Sequence, residues 1–242
     1  MVKRIVQIHE ENRRIYGSPR ITEKLLAQGF CVSENRVARL MRGHGIRSRI
    51  KRKFRVTTTS RHQLPVFPNV LEQKFEAEAP NRIWASDISY VWSMEGWLYL
   101  AVILDIFSRV VVGWSLSKYL HRQLVVDALK RALFHRQVSS GLILHSDRGS
   151  QYVSDDFKEL AHLNGFVQSM SRKGNPYDNA IVENFFHSLK TEWVYFEKYR
   201  TREQASQSIF EYIEPFYNRT RLHSALGYLS PMDYEQKYSK VA

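Results

Sequence analysis

Ile83-Trp84-Ala85-Ser86-Asp87-Ile88-Ser89-Tyr90-Val91-Trp92 decides the fold. Its aromatic and β-branched residues read as a strand, and Asp87 sits mid-strand, between Ser86 and Ile88. A strand heading for burial seldom takes in a carboxylate without a partner for it. Downstream, Trp97 to Leu104 reads as a second strand and Arg109 to Leu116 as a third. Glu95-Gly96 and Phe107-Ser108 supply short turns, so these three make an antiparallel meander. Leu124, Val125, Ala128, Leu129, Ala132 and Leu133 then recur at helical spacing. Leu142-Ile143-Leu144 is a short buried strand ending at His145-Ser146-Asp147. A helix at about 155–163, a strand at 166–169 and a helix bearing Val182, Phe185, Phe186, Leu189 and Trp193 follow. Meander, helix, strand, helix, strand, helix is the order of an α/β, ribonuclease-H-like fold. It predicts a mixed five-stranded sheet with flanking helices.

Three acids stand out against that frame. Asp87 is mid-strand, Asp147 lies just beyond an apolar strand, and Glu183 shares a helical stripe with His187 and Lys190 at the border of the core. Converging carboxylates suit hard divalent cations such as Mg²⁺, which take oxygen ligands and keep waters for substrate phosphates. Two such ions serve phosphodiester chemistry, and without them the acids would repel one another. Asp105 is assigned instead to the turn before Ser108-Arg109. His145 and His187 read as supporting residues, because Mg²⁺ prefers oxygen. Trp92, Trp97 and Trp114 are read as core or sheet-face residues.

Towards the N-terminus the charge changes. The chain of 242 residues carries a net charge of +12, and residues 1–64 hold all of the excess, with 16 Lys and Arg against four acids. That asymmetry points to a module that binds a polyanion. Ser18-Pro19 reads as a helix start and Gly29 as its end; Ser33 and Gly43 bound a second short helix. Val37, Leu40 and Met41 form one face of that second helix, and Asn35, Arg36, Arg39 and Arg42 crowd another. The pair looks like a helix-turn-helix whose second helix enters a DNA major groove. Arg47, Arg49, Lys51, Arg52, Lys53 and Arg55 follow as a run suited to phosphates. The expected organisation is a basic module over 1–55 and a linker over 56–80 with a short helix around Leu71 to Phe75. A core over 81–200 and a helical extension over 201–242 complete it.

The composition excludes other classes. Hydrophobic residues make up 43% of the chain, which excludes global disorder. The longest apolar run, Trp97 to Phe107, is too short to span a bilayer and contains Asp105. The single cysteine, Cys31, can form neither an internal disulfide nor a cysteine zinc cage. With no signal peptide at Met1-Val2-Lys3-Arg4, the expectation is a soluble intracellular protein.

Three motifs carry a resemblance. Trp84-Ala85-Ser86-Asp87-Ile88-Ser89-Tyr90, His145-Ser146-Asp147-Arg148-Gly149-Ser150-Gln151-Tyr152 and Gly174-Asn175-Pro176-Tyr177-Asp178-Asn179-Ala180-Ile181-Val182-Glu183-Asn184 resemble the catalytic signatures of bacterial insertion-sequence transposases. The similar group makes its transposase from two overlapping frames, and this chain resembles the downstream product, whose core is similar to retroviral integrases. Asp147 and Glu183 are separated by 35 residues, the spacing of the Asp-Asp-Glu class. Tyr217 to His223, with Leu226 to Pro231, resembles its C-terminal signature.

The resemblance implies a polynucleotidyl transferase that cleaves insertion-sequence ends and joins them to target DNA. Asp87, Asp147 and Glu183 would ligate two Mg²⁺ ions, with Mn²⁺ as a substitute, and Lys190 would contact DNA near the scissile phosphate. It further implies terminal inverted repeats and target DNA as partners, a homo-multimer on DNA, the upstream-frame product as a second protein, and a cytoplasmic, nucleoid-associated setting. Arg172-Lys173-Gly174-Asn175-Pro176 suits a loop that closes on DNA, and a surface turn fits nearly as well. Tyr217, Arg221 and His223 are read as packing of the last helix against the core. Two rivals remain at this stage: a nuclease of the same fold that cuts without joining, and a DNA-binding regulator with an inactive core.

Overall fold

One sheet organises the chain. In a computed structural model, which describes residues 1–50, 66–173 and 175–239, its strands are β1 (Ile83–Ser93), β2 (Gly96–Asp105), β3 (Val111–Ser117), β4 (Ile143–Ser146) and β5 (Val167–Met170). They lie in the order β3-β2-β1-β4-β5. The pairs β1–β2 and β2–β3 are antiparallel, whereas β1–β4 and β4–β5 are parallel. This is the mixed sheet expected from the element order. The third strand starts two residues later than expected, because Arg109 takes a left-handed backbone conformation (φ 63°) that ends the turn rather than opening a strand. Asp105 does hold that turn. It accepts the amides of Phe107 (2.9 Å) and Asn81 (2.6 Å) and the Trp84 indole N–H (3.3 Å).

Side chains along β2 alternate between two cores. Ala101 and Ile103 face a layer built from α4 (Arg122–His135) and α5 (Asp155–Leu163), together with Trp84, Tyr152 and Phe157. Gly113 on β3 permits close approach on that side: a Cβ there would sit 2.4 Å from the Ala128 carbonyl oxygen of α4. Leu98, Leu100, Val102 and Leu104 face the other side, which is covered by α6 (Ala180–Glu192) and by α7 (Arg202–Glu211) with the π-helical segment Tyr212–Asn218 that continues it. The C-terminal segment ends in α8 (Pro231–Tyr238).

The N-terminal module has three helices, α1 (Val2–Glu11), α2 (Ser18–Ala27) and α3 (Glu34–Gly43). The first was not anticipated. Ile5 and Ile8, with His9, are its buried residues. Helix α2 is capped by Gly17, so Ser18 is its first residue rather than its cap. The module shares the α6-side core: Ile5, Ile8, Tyr16, Ile21, Leu25 and Val37 join Phe185, Trp193, Tyr212 and Leu222 in one apolar cluster. Tyr16 reaches across to donate to the Thr220 carbonyl (3.2 Å) and accepts from the Leu222 amide (2.8 Å).

The segment after the undescribed stretch is not helical. At the place expected for a short helix, Glu72 (φ 47°) and Gln73 (φ 62°) are left-handed and make a turn, while Leu71 is buried. Val70 and Leu71 donate their amides to Ser169 Oγ, and the Met170 amide bonds the Pro68 carbonyl.

Candidate active site and nucleic-acid interface

The parallel register brings two of the acids together. Ser86 on β1 pairs with Ser146 on β4, so Asp87 and Asp147, one residue on, stand level with each other. Neighbouring strands lie about 4.8 Å apart. Ala85, two residues before Asp87, faces the α6 side, and period-2 alternation directs Asp87 the same way. Helix α6 packs on β1 there and carries Glu183 in its first turn.

The electrostatics record this gathering. Burial lifts the Asp87 carboxyl well above the usual carboxylate range, and the charge of Asp147 adds to it. An Ile88 amide bond (2.7 Å to Oδ1) pulls the other way; Glu183 then raises the value and Lys190 lowers it. Glu183 is likewise raised, by partial burial and then by Asp147. Asp147 Oδ1 accepts the Gly149 amide at 2.9 Å, which shapes the turn after β4. Among the described residues, no three His, Cys, Asp or Glu side chains form a ready-made metal cage. The donor set nevertheless fits a hard cation: all its ligands would be carboxylate oxygens, and its mutual repulsion is what a divalent ion relieves.

One neighbour, Tyr152, is given no role by the sequence alone. Fully buried Tyr152, from the α4 and α5 side of the sheet, brings its hydroxyl to 3.0 Å from the Oγ of Ser86, the residue before Asp87. Burial and the charges of Asp147 and Asp87 push its phenol well up. Its position five residues after Asp147, within the same motif, was the only signal. Buried His145 bonds Ser169 Oγ (2.9 Å) and Ser171 Oγ (3.2 Å), and burial lowers its imidazole to about 4. His187 is exposed. Lys190 lies 5.0 Å over the Tyr90 ring; burial lowers its ammonium, and Asp87 opposes that.

The proposed DNA contacts divide. Arg36, Arg39, Arg42 and Arg47 are exposed on or just after α3. Arg49 is exposed too, yet its guanidinium lies 3.9 Å from the centre of the Phe196 ring on the main body. Lys51, Arg52, Lys53, Arg55 and Gly174 lie outside the described residues. Lys173 is exposed, while Arg172 is ion-paired with Asp178 at 2.9 Å. Trp92 and Trp97 stack edge-on (4.8 Å) on an open part of the sheet face. Tyr217 and Arg221 are buried, and Arg221 binds Glu192 through two bonds of 2.6 and 2.7 Å.

Comparisons with known proteins agree with this architecture. The integrase core domain family matches residues 77–176, a second integrase core family matches 183–238, and an HTH-like domain family matches 1–54. Transposase InsF for insertion sequence IS3A of Escherichia coli (strain K12) is 46% identical over 226 residues, covering 93% of this chain and 78% of that protein. The chain belongs to the IS3-family transposases. The transposase is also 44% identical to the insertion element IS600 uncharacterized 31 kDa protein of Shigella sonnei, over 97% of this chain and 86% of that one. In fold it is similar to a chain of the simian T-cell lymphotropic virus intasome in complex with a PP2A regulatory subunit. The TM-score is 0.56 at 16% identity, covering 96% of this chain and 74% of that one. The transposase therefore has the core of a polynucleotidyl transferase, and no helix among its described residues is long and apolar enough to cross a membrane.

Proposed function

We propose that the transposase cleaves insertion-sequence ends and joins them to target DNA by direct phosphodiester attack, with Asp87, Asp147 and Glu183 as the ligands of two divalent cations. Mg²⁺, or Mn²⁺ in its place, would supply activation of the attacking oxygen and charge relief at the departing 3′-oxygen. The protein's own residues do the holding. Asp87 is oriented by the Ile88 amide and Asp147 by the Gly149 amide, while the Lys190 ammonium brings positive charge to the phosphate's side of the site. The nucleophiles come from water and DNA, so no covalent protein–DNA link is needed. Arg36, Arg39, Arg42 and Arg47, with Lys51, Arg52 and Lys53, would bind the terminal repeats, and Lys173 and Lys190 the strand being cut. Joining two ends in one event calls for several copies on DNA, working with the upstream-frame product in the cytoplasm.

One observation supports this most directly: two register-matched aspartates and a helical glutamate, with the charge of Asp147 raising the proton affinity of both Asp87 and Glu183. An assay with labelled element ends and Mg²⁺ or Mn²⁺ tests it. Joined products support the proposal, cut products alone indicate a nuclease, and bound unreacted DNA indicates a regulator. Asp87→Asn, Asp147→Asn and Glu183→Gln should each lose joining while still binding DNA. Joining by any one of them would remove that residue from the site.

A further inference from the structure

Asp178 is fully buried, yet its carboxylate gathers five hydrogen bonds from two distant stretches of chain. Oδ2 accepts the Arg172 amide (2.7 Å), Arg172 Nε (3.1 Å) and Asn69 Nδ2 (2.9 Å). Oδ1 accepts Arg172 Nη2 (2.9 Å) and Gln73 Nε2 (2.7 Å). Arg172 lies two residues past the end of β5. Asn69 and Gln73 belong to the segment that lies along β5, held there by Ser169 and Met170. These bonds hold the carboxyl well below the usual range, led by the Arg172 side chain.

The next residue makes a matching attachment on the other side. Asn179, at the start of α6, donates from Nδ2 to the carbonyl of Ser86 (3.3 Å), the residue before Asp87. The entrance of α6 is thus tied at adjacent residues to β1 and to the end of β5. Glu183 stands five residues after Asp178. A rigid helix carries whatever displacement its first residues suffer, so the two ties set where Glu183 stands relative to Asp87.

We infer that Asp178 is a positioning residue for metal binding: by clamping Arg172, Asn69 and Gln73 it holds the catalytic helix so that Glu183 completes the pocket begun by Asp87 and Asp147. The segment 69–73 is then part of the active-site scaffold rather than a passive linker. This rests on the three carboxylates being metal ligands.

The test is Mn²⁺ binding to the full chain without DNA, followed by calorimetry and electron paramagnetic resonance. Asp178→Asn should weaken binding roughly tenfold or more, the size seen when groups supporting a metal ligand are lost. Its DNA affinity should stay unchanged, and strand transfer should recover in part at high Mn²⁺. Asn69→Ala and Gln73→Ala each remove one donor and should shift Mn²⁺ affinity in the same direction by less, which keeps the test open if Asp178→Asn fails to fold. Folded variants with parental Mn²⁺ affinity would overturn the inference while Asp87→Asn and Glu183→Gln still lost the metal. If those two also bound Mn²⁺ like the parent, the ligand assignment itself would fall.

Discussion

Asp87 carries a conflict that the proposed metal site would explain. Burial and the nearby Asp147 make its charged form costly in the folded protein, and a raised carboxylate pKa means that ionisation at neutral pH opposes folding. Asp87→Asn should therefore stabilise the metal-free protein, read from urea unfolding in chelator, and in its proposed role it should abolish strand transfer. Mg²⁺ should raise the melting temperature of the parent and leave that of the variant unchanged. His223 presents the opposite case. Burial, then the guanidiniums of Arg221, Arg109 and Arg20, push its imidazole down to about 4. Between pH 4 and 6.5 the unfolded chain binds the extra proton, so the contribution of His223 is complete above about 6.5 and drains away as pH falls through that window. Unfolding followed across this interval should show a slope that His223→Gln flattens.

Among the elements, α6 joins two functions. Its first turn bears Glu183, and its last residue, Glu192, is buried between Arg221 (2.6 Å) and Arg20 (3.4 Å). Burial works to raise that carboxyl, but the two guanidiniums hold it below the usual range. Glu192→Gln would leave Arg221 with its charge buried and uncompensated, at a cost of about 3–5 kcal/mol; chemical denaturation measures it. The strands and most helices were legible in the sequence because their signals are local. Aromatic and β-branched content marked β1, an unbroken apolar run marked β2, and a 3.6-residue stripe marked α4 and α6. The acids were legible because Asp87 violates its strand's composition. The clamp was not: Asp178 meets Asn69 across 109 residues and Gln73 across 105, distances that no window spans. Arg172, read as a DNA contact, lies six residues before Asp178 and is ion-paired with it. The expected helix at Leu71 to Phe75 failed because Glu72 and Gln73 take left-handed conformations, which serve the turn against β5.

For the molecule as a whole, the charge map separated a basic head from a neutral body, and that division underlies binding. Arg36, Arg39 and Arg42 project from α3 into solvent. Replacing each with Ala should lower the slope of log affinity against log salt by about 0.9 if it neutralises one phosphate, measured by titrating terminal-repeat DNA at several salt concentrations. Net charge said nothing of how head and body meet, because that contact is made by apolar groups, by single polar atoms and by the ion pairs Arg13–Glu211 and Arg20–Glu192. Tyr16 bonds residues more than 200 positions away, and Arg13 lies 3.7 Å over the Trp193 ring.

That union has a practical edge. Amputating everything before residue 66 would not free an independent catalyst. It would bare the indole of Trp193, deprive the Leu222 amide of its phenol acceptor, and leave Glu192 with one guanidinium in place of two. The stump would be a greasy, half-charged wound beside the very helix that bears Glu183, so damage at the reading end would travel to the cutting end.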